Sequence, residues 1–160
     1  MKRIIMLFIL LNIARPAHEE QKMDHTDQAK AIEHMEELRK LRRSEFTPER
    51  FRKYMELVGI YQAELVYKQA VLETGNFTSR IFKENHNLYG MKLPRSRPTL
   101  ATGENRGHAM FRHWTDSVED YALWQDYYLD GGYDFSDYYA FLRDMSYAED
   151  PKYNQKLNAL

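Results

Sequence analysis

Glu73 is the residue whose type and position most invite chemistry. It closes an apolar helical stretch, with Ala70, Val71 and Leu72 before it and Thr74-Gly75 after it. Gly75 stands where a helix C-cap belongs. A carboxylate in that last turn faces the negative end of the helix dipole, and its apolar neighbours promise partial loss of water. Both effects raise the proton affinity of a carboxyl group. That suits a general acid holding its proton near neutral pH. On spacing alone, a solvent-facing glutamate at a frayed helix end remains the simpler reading.

Other chemistries find little support. The six histidines form no His-x-x-x-His pair on a helix and join no carboxylate cluster with ligand spacing, so no metal site is expected. There is no Gly-x-Ser-x-Gly elbow and no phosphate-cradling glycine loop. With no cysteine, thiolate catalysis and disulfides are excluded. Twenty-three basic against 24 acidic residues leave a net charge of -1, without the basic excess that nucleic-acid binding needs. Aromatic residues make up 14% of the chain, enough to serve a core and also line a ligand groove.

The elements that must position Glu73 follow from periodicity and punctuation. Thr47-Pro48 opens a helix that buries Phe51, Tyr54, Met55 and Val58, and Gly59 separates it from a helix running from Ile60 to about Thr74. Ser79 to Asn85 reads as a short helical turn. Between Leu88 and Trp114 two extended pieces flank Gly103-Glu104-Asn105-Arg106-Gly107, which predicts a hairpin with an irregular tip. Asp116 and Glu119 have capping-box spacing for a helix to about Asp130, and shorter helices are expected near 136–145 and 151–160. The expected fold is α+β, mostly helical with one small β-hairpin lobe beside the cleft.

At the amino end, Met1-Lys2-Arg3 precedes an almost wholly apolar run from Ile4 to Ala14. It is shorter than the roughly 20 residues of a membrane span and suits a signal peptide over 1–17. Residues 18–46 read as a charged helical spacer, and 47–160 as the functional domain. A periplasmic or secreted protein with no stable membrane span after leader removal is expected.

Four ordered segments carry a resemblance. They are Gln69-Ala70-Val71-Leu72-Glu73-Thr74-Gly75, Asn87-Leu88-Tyr89-Gly90-Met91-Lys92, Phe111-Arg112-His113-Trp114 with Asp116-Ser117-Val118, and Tyr147-Ala148-Glu149-Asp150-Pro151-Lys152-Tyr153. Together they resemble the glucosaminidase family of peptidoglycan hydrolases over roughly Phe51 to Leu160. The resemblance implies a lysozyme-like fold, a monomer acting on peptidoglycan glycan strands without a cofactor, and cleavage of the β-1,4 bond after N-acetylglucosamine. It places Glu73 on the catalytic acid. Glu104 falls where family members carry a second carboxylate on a hairpin, although an exposed turn glutamate is an equal reading. The family places a functional tyrosine in this closing segment, so Tyr147 or Tyr153 is expected to bring one hydroxyl to the reacting sugar, Tyr147 being favoured and packing against the core being the simpler role for Tyr153.

Asn87, Tyr89 and Gly90 are expected to shape the cleft floor, Asn87 either bonding an acetamido group or stabilising a turn. Trp114 is a groove candidate. Tyr121 shares a helix stripe with Trp124 and Tyr128 that serves as core or as sugar platform. A lytic transglycosylase or muramidase, or a binding module without activity, are the alternatives on the same scaffold.

Overall fold

The computed structural model describes residues 25–145, 147–148, 150 and 152–160, so the expected signal peptide lies outside the described residues. The chain divides into two compact units, one ending at Glu45 and the other running from Phe46 to Leu160. The described part of the first unit is helix α1, His25–Leu41.

The second unit is mostly helical, with one two-stranded sheet, and is the α+β arrangement expected of a lysozyme-like domain. Helix α2 spans Pro48–Val58. The Thr47 hydroxyl accepts a hydrogen bond from the Arg50 amide at 3.2 Å, and Pro48 fits the first turn, where no amide hydrogen is needed. Gly59, at φ +76°, ends the helix in the left-handed conformation that glycine adopts without a Cβ penalty.

Helix α3 spans Ala63–Glu73, starting three residues later than periodicity predicts. Its buried residues are Val66, Gln69 and Ala70. Glu73 continues that stripe at i+7 from Val66 and i+4 from Gln69, which turns its side chain inward. Beyond it, Gly75, Asn76 and Phe77 all have positive φ. The Thr74 hydroxyl accepts from the Phe77 amide at 2.8 Å and fixes this turn. Left-handed backbone at a phenylalanine costs on the order of 1–2 kcal/mol. Its ring offsets that cost within an aromatic cluster, 4.9 Å from Phe46 and 5.9 Å from Tyr67.

Helix α4, Arg80–Asn85, is capped by Ser79, whose hydroxyl accepts from the Phe82 amide. Strand β1, Gly103–Asn105, pairs antiparallel with β2, His108–Met110, in the register Gly103↔Met110, Glu104↔Ala109 and Asn105↔His108. The tip is a two-residue turn, not the irregular one expected. Arg106 and Gly107 have φ of +57° and +75°, the doubly left-handed geometry that matches strand twist. Paired Asn85 and Asn105 side-chain amides (2.8 Å) and an Arg106–Glu84 ion pair (2.8 Å) tie the hairpin to α4.

Helix α5 spans Trp114–Asp130 and is capped by the His113 ring, which accepts from the Thr115 amide. The predicted capping box at Asp116 and Glu119 therefore does not form. Glu119 instead accepts a hydrogen bond from the Tyr54 hydroxyl, joining α5 to α2. Helices α6, Tyr138–Asp144, and α7, Tyr153–Asn158, complete the unit. Asp137 caps α6 through the Ala140 amide, and the Asp150 carboxylate accepts from the Lys152 amide ahead of α7. The core lies where α2, α3 and α5 meet, with Phe51, Tyr54, Val66, Val118 and Tyr121 fully buried. Burial of each large side chain contributes roughly 1.5–3 kcal/mol.

Candidate active site

A cleft of about 420 Å³ opens beside the end of α3. Glu73 borders it. The segment Met91–Arg97 supplies much of its lining, α5 contributes Trp124, Tyr127 and Tyr128, and the chain after α6 adds Met145 and Tyr147.

The floor is built by the turn at 87–91. Asn87 is 1% exposed, and its side chain is fully occupied. Its amide donates to the carbonyls of Met91 (2.8 Å) and Ala109 (2.9 Å), while its oxygen accepts from the amides of Tyr89 and Met91. This is the turn-stabilising role, and no donor is left for an acetamido group. The turn brings Gly90 under Glu73. Gly90 has φ +63°, and a Cβ there would stand 3.2 Å from Glu73 Oε2, so both conformation and space require glycine.

One cation of the wall is spent internally. Arg97, 5% exposed, donates to the fully buried carboxylate of Asp120 at 2.7 Å. Asp120 also accepts from the Thr99 hydroxyl (2.6 Å) and the Leu100 amide (2.9 Å), so its charge is well satisfied. Lys92 and Arg95 stay exposed on the same wall.

Glu73 itself is half-buried, and its Oε1 accepts a hydrogen bond from the Tyr153 hydroxyl at 2.9 Å. Burial raises the carboxyl above the usual carboxylate range; the Tyr153 hydrogen bond and the charge of His108 partly oppose this. Burial and the neighbouring Glu73 charge push the Tyr153 hydroxyl well above an ordinary tyrosine, which keeps it a donor. A carboxyl of raised proton affinity at the edge of a cleft is suited to deliver a proton into it.

The remaining expected site residues separate into those at the cleft and those in the core. Tyr147 borders the cleft, but its hydroxyl donates to the Tyr89 carbonyl at 3.1 Å; the hydroxyl that reaches Glu73 belongs to Tyr153. Tyr89 borders the cleft too, yet it is only 2% exposed and its ring lies 4.2 Å from that of Tyr121. Trp114, 2% exposed, packs against Phe46 and Tyr54, and Tyr121 is fully buried, so both are core residues and not groove platforms. Glu104 is exposed and does not border the cleft. Strand alternation puts it on the face opposite His108, and His108 is the hairpin residue whose charge is felt at Glu73.

The model of the glucosaminidase family, described as mannosyl-glycoprotein endo-beta-N-acetylglucosaminidase, matches residues 48–160. The chain belongs to the glucosaminidase family. It is also similar to protein bax of Escherichia coli (strain K12), 36% identical over 68 residues. That match covers 42% of this chain and 25% of the relative, so the chain spans about a quarter of that protein's length. No solved structure matches it. Within this glucosaminidase domain, the sequence offers Tyr147 and Tyr153 for one hydroxyl and favours Tyr147, whereas Tyr153 is the one bonded to Glu73, 80 positions away. Gln69 is not singled out by the sequence, since it carries no signal beyond being polar on an apolar helix face.

Proposed function

We propose that the protein is a peptidoglycan hydrolase of the cell envelope that cleaves the β-1,4 bond after N-acetylglucosamine, with Glu73 as general acid. The observation that carries this reading is the half-buried Glu73 carboxyl, raised in proton affinity by burial, at the edge of an aromatic-lined cleft. Glu73 protonates the glycosidic oxygen as the bond to the anomeric carbon breaks. The 2-acetamido oxygen of the same N-acetylglucosamine attacks that carbon and forms a cyclic intermediate, the substrate-assisted route known among glycosidases. Water then adds to the anomeric carbon as its bond to the acetamido oxygen breaks and the acetamido group re-forms, and the water proton passes to the Glu73 carboxylate, which restores the acid.

The exposed setting of Glu104 favours this route over one with a second protein carboxylate. Tyr127 and Tyr128 offer ring faces for sugar stacking. Digestion of defined peptidoglycan followed by mass analysis tests the assignment. Reducing-end N-acetylglucosamine is the expected product. Reducing-end or 1,6-anhydro N-acetylmuramic acid instead would overturn it in favour of a muramidase or a lytic transglycosylase.

A further inference from the structure

Gln69 is fully buried on the inner stripe of α3, one turn before Glu73. A buried amide is costly unless its groups are hydrogen-bonded. Gln69 bonds on both sides: its Oε1 accepts from the Tyr121 hydroxyl at 3.0 Å, and its Nε2 approaches the Tyr153 hydroxyl at 3.4 Å. The chain of bonds continues from Tyr121 to Tyr138 at 2.8 Å and from Tyr138 to Gln125 Nε2 at 2.9 Å.

Its far end has a fixed polarity. The Tyr61 amide can only donate, and it donates to Gln125 Oε1 at 3.0 Å; the Tyr61 carbonyl can only accept, and it accepts from Gln125 Nε2 at 3.0 Å. The second hydrogen of that nitrogen points to the Tyr138 oxygen. The Tyr121 hydroxyl donates to Gln69 Oε1, and the Gln69 amide donates to the Tyr153 oxygen. The Tyr153 proton is left for Glu73 Oε1.

We propose that Gln69 is a positioning residue that makes Tyr153 a one-way donor to Glu73 Oε1, so that the acid's own proton sits on Oε2. This rests on Glu73 being the general acid. Oε2 is the oxygen beside Gly90, where the missing Cβ leaves room at the cleft. In the acid step the Oε2–H bond breaks, the proton passes to the glycosidic oxygen, and the electron pair stays on the carboxylate. The Tyr153 hydrogen bond persists through both states and stabilises the carboxylate that forms. The other titratable groups that act on or feel Glu73 are Tyr147 from the chain before α7 and His108 from β2, while Lys92, Arg95 and Arg97 border the same cleft. None of them is bonded to Gln69.

The test is the pH dependence of kcat/KM on peptidoglycan for the full chain and its Gln69→Leu, Tyr153→Phe and doubly substituted variants. Tyr153→Phe deletes the donor and raises the Glu73 proton affinity, so its basic limb should move up by about one pH unit, and Gln69→Leu, which keeps the hydroxyl but no longer orients it, should move the limb up by less. The double variant should move no further than Tyr153→Phe, because Gln69 acts only through Tyr153. An unmoved limb in a folded Gln69→Leu protein, or additive shifts in the double variant, overturns the proposal. Where leucine at 69 prevents folding, an unmoved limb in Tyr153→Phe overturns it equally. Glu73→Gln separates the two levels. Full activity in that variant removes the acid assignment itself, whereas an inactive Glu73→Gln beside unmoved limbs removes only the relay.

Discussion

Glu73 and Glu104 carry the same carboxyl group into opposite surroundings. The first ends an eleven-residue helix whose buried stripe turns it inward, against a tyrosine hydroxyl and above a bare glycine. The second stands on a three-residue strand, exposed, on the hairpin face away from His108. The difference teaches that a glutamate becomes an acid through its setting. Partial loss of water raises the proton affinity of Glu73. The hairpin leaves Glu104 exposed.

The comparison breaks most sharply at Glu73. Glu73→Gln should lower kcat on peptidoglycan by about a hundredfold or more, the usual scale of general acid catalysis, as read by release of reducing ends. A drop of less than tenfold would leave the two glutamates equivalent. Gly90→Ala should come next, since it meets both a φ of +63° and Glu73 Oε2 at 3.2 Å. A loss of about tenfold in kcat/KM and a fall of a few degrees in Tm are expected, on the order of 1–2 kcal/mol for the strained backbone. Wild-type kinetics in that variant would show that Oε2 has no crowded neighbour.

Glu104→Gln should change kcat by less than about threefold. A fall of a hundredfold would instead make the hairpin carboxylate a partner in the chemistry. The smallest effect is on stability. A carboxyl whose folded-state proton affinity is raised stabilises the fold below its unfolded pKa of about 4.3, and that contribution is lost as pH rises through the folded value. Glu73→Gln should therefore have a slightly higher Tm than the parent at pH 7, with the gap closing below about pH 4.

The sequence made much of this legible, but for local reasons. Thr47-Pro48, Ser79 and Gly59 behave as caps and stops because their effects act within one turn, and the position of Glu73 follows from the helix that it ends. What failed depends on distant partners. Asp116 and Glu119 have the right spacing for a capping box, but Tyr54 claims Glu119 and the His113 ring takes the cap. Trp114 and Tyr121 look like groove aromatics because an apolar stripe has the same period whether it meets a core or a sugar. Arg106-Gly107 hides a tight turn because its first residue lacks the usual asparagine or aspartate signal. Tyr153 reaches Glu73 only after α7 folds back on α3.

The central claim is that the fold holds Glu73 in its neutral form into the range where a general acid works. Side-chain carbon NMR of glutamate-labelled protein, with Glu73 assigned by comparison with Glu73→Gln, measures this directly. The Glu73 carboxyl is predicted to titrate clearly above the ordinary glutamate value of about 4.3. A midpoint at or below that value would contradict the account.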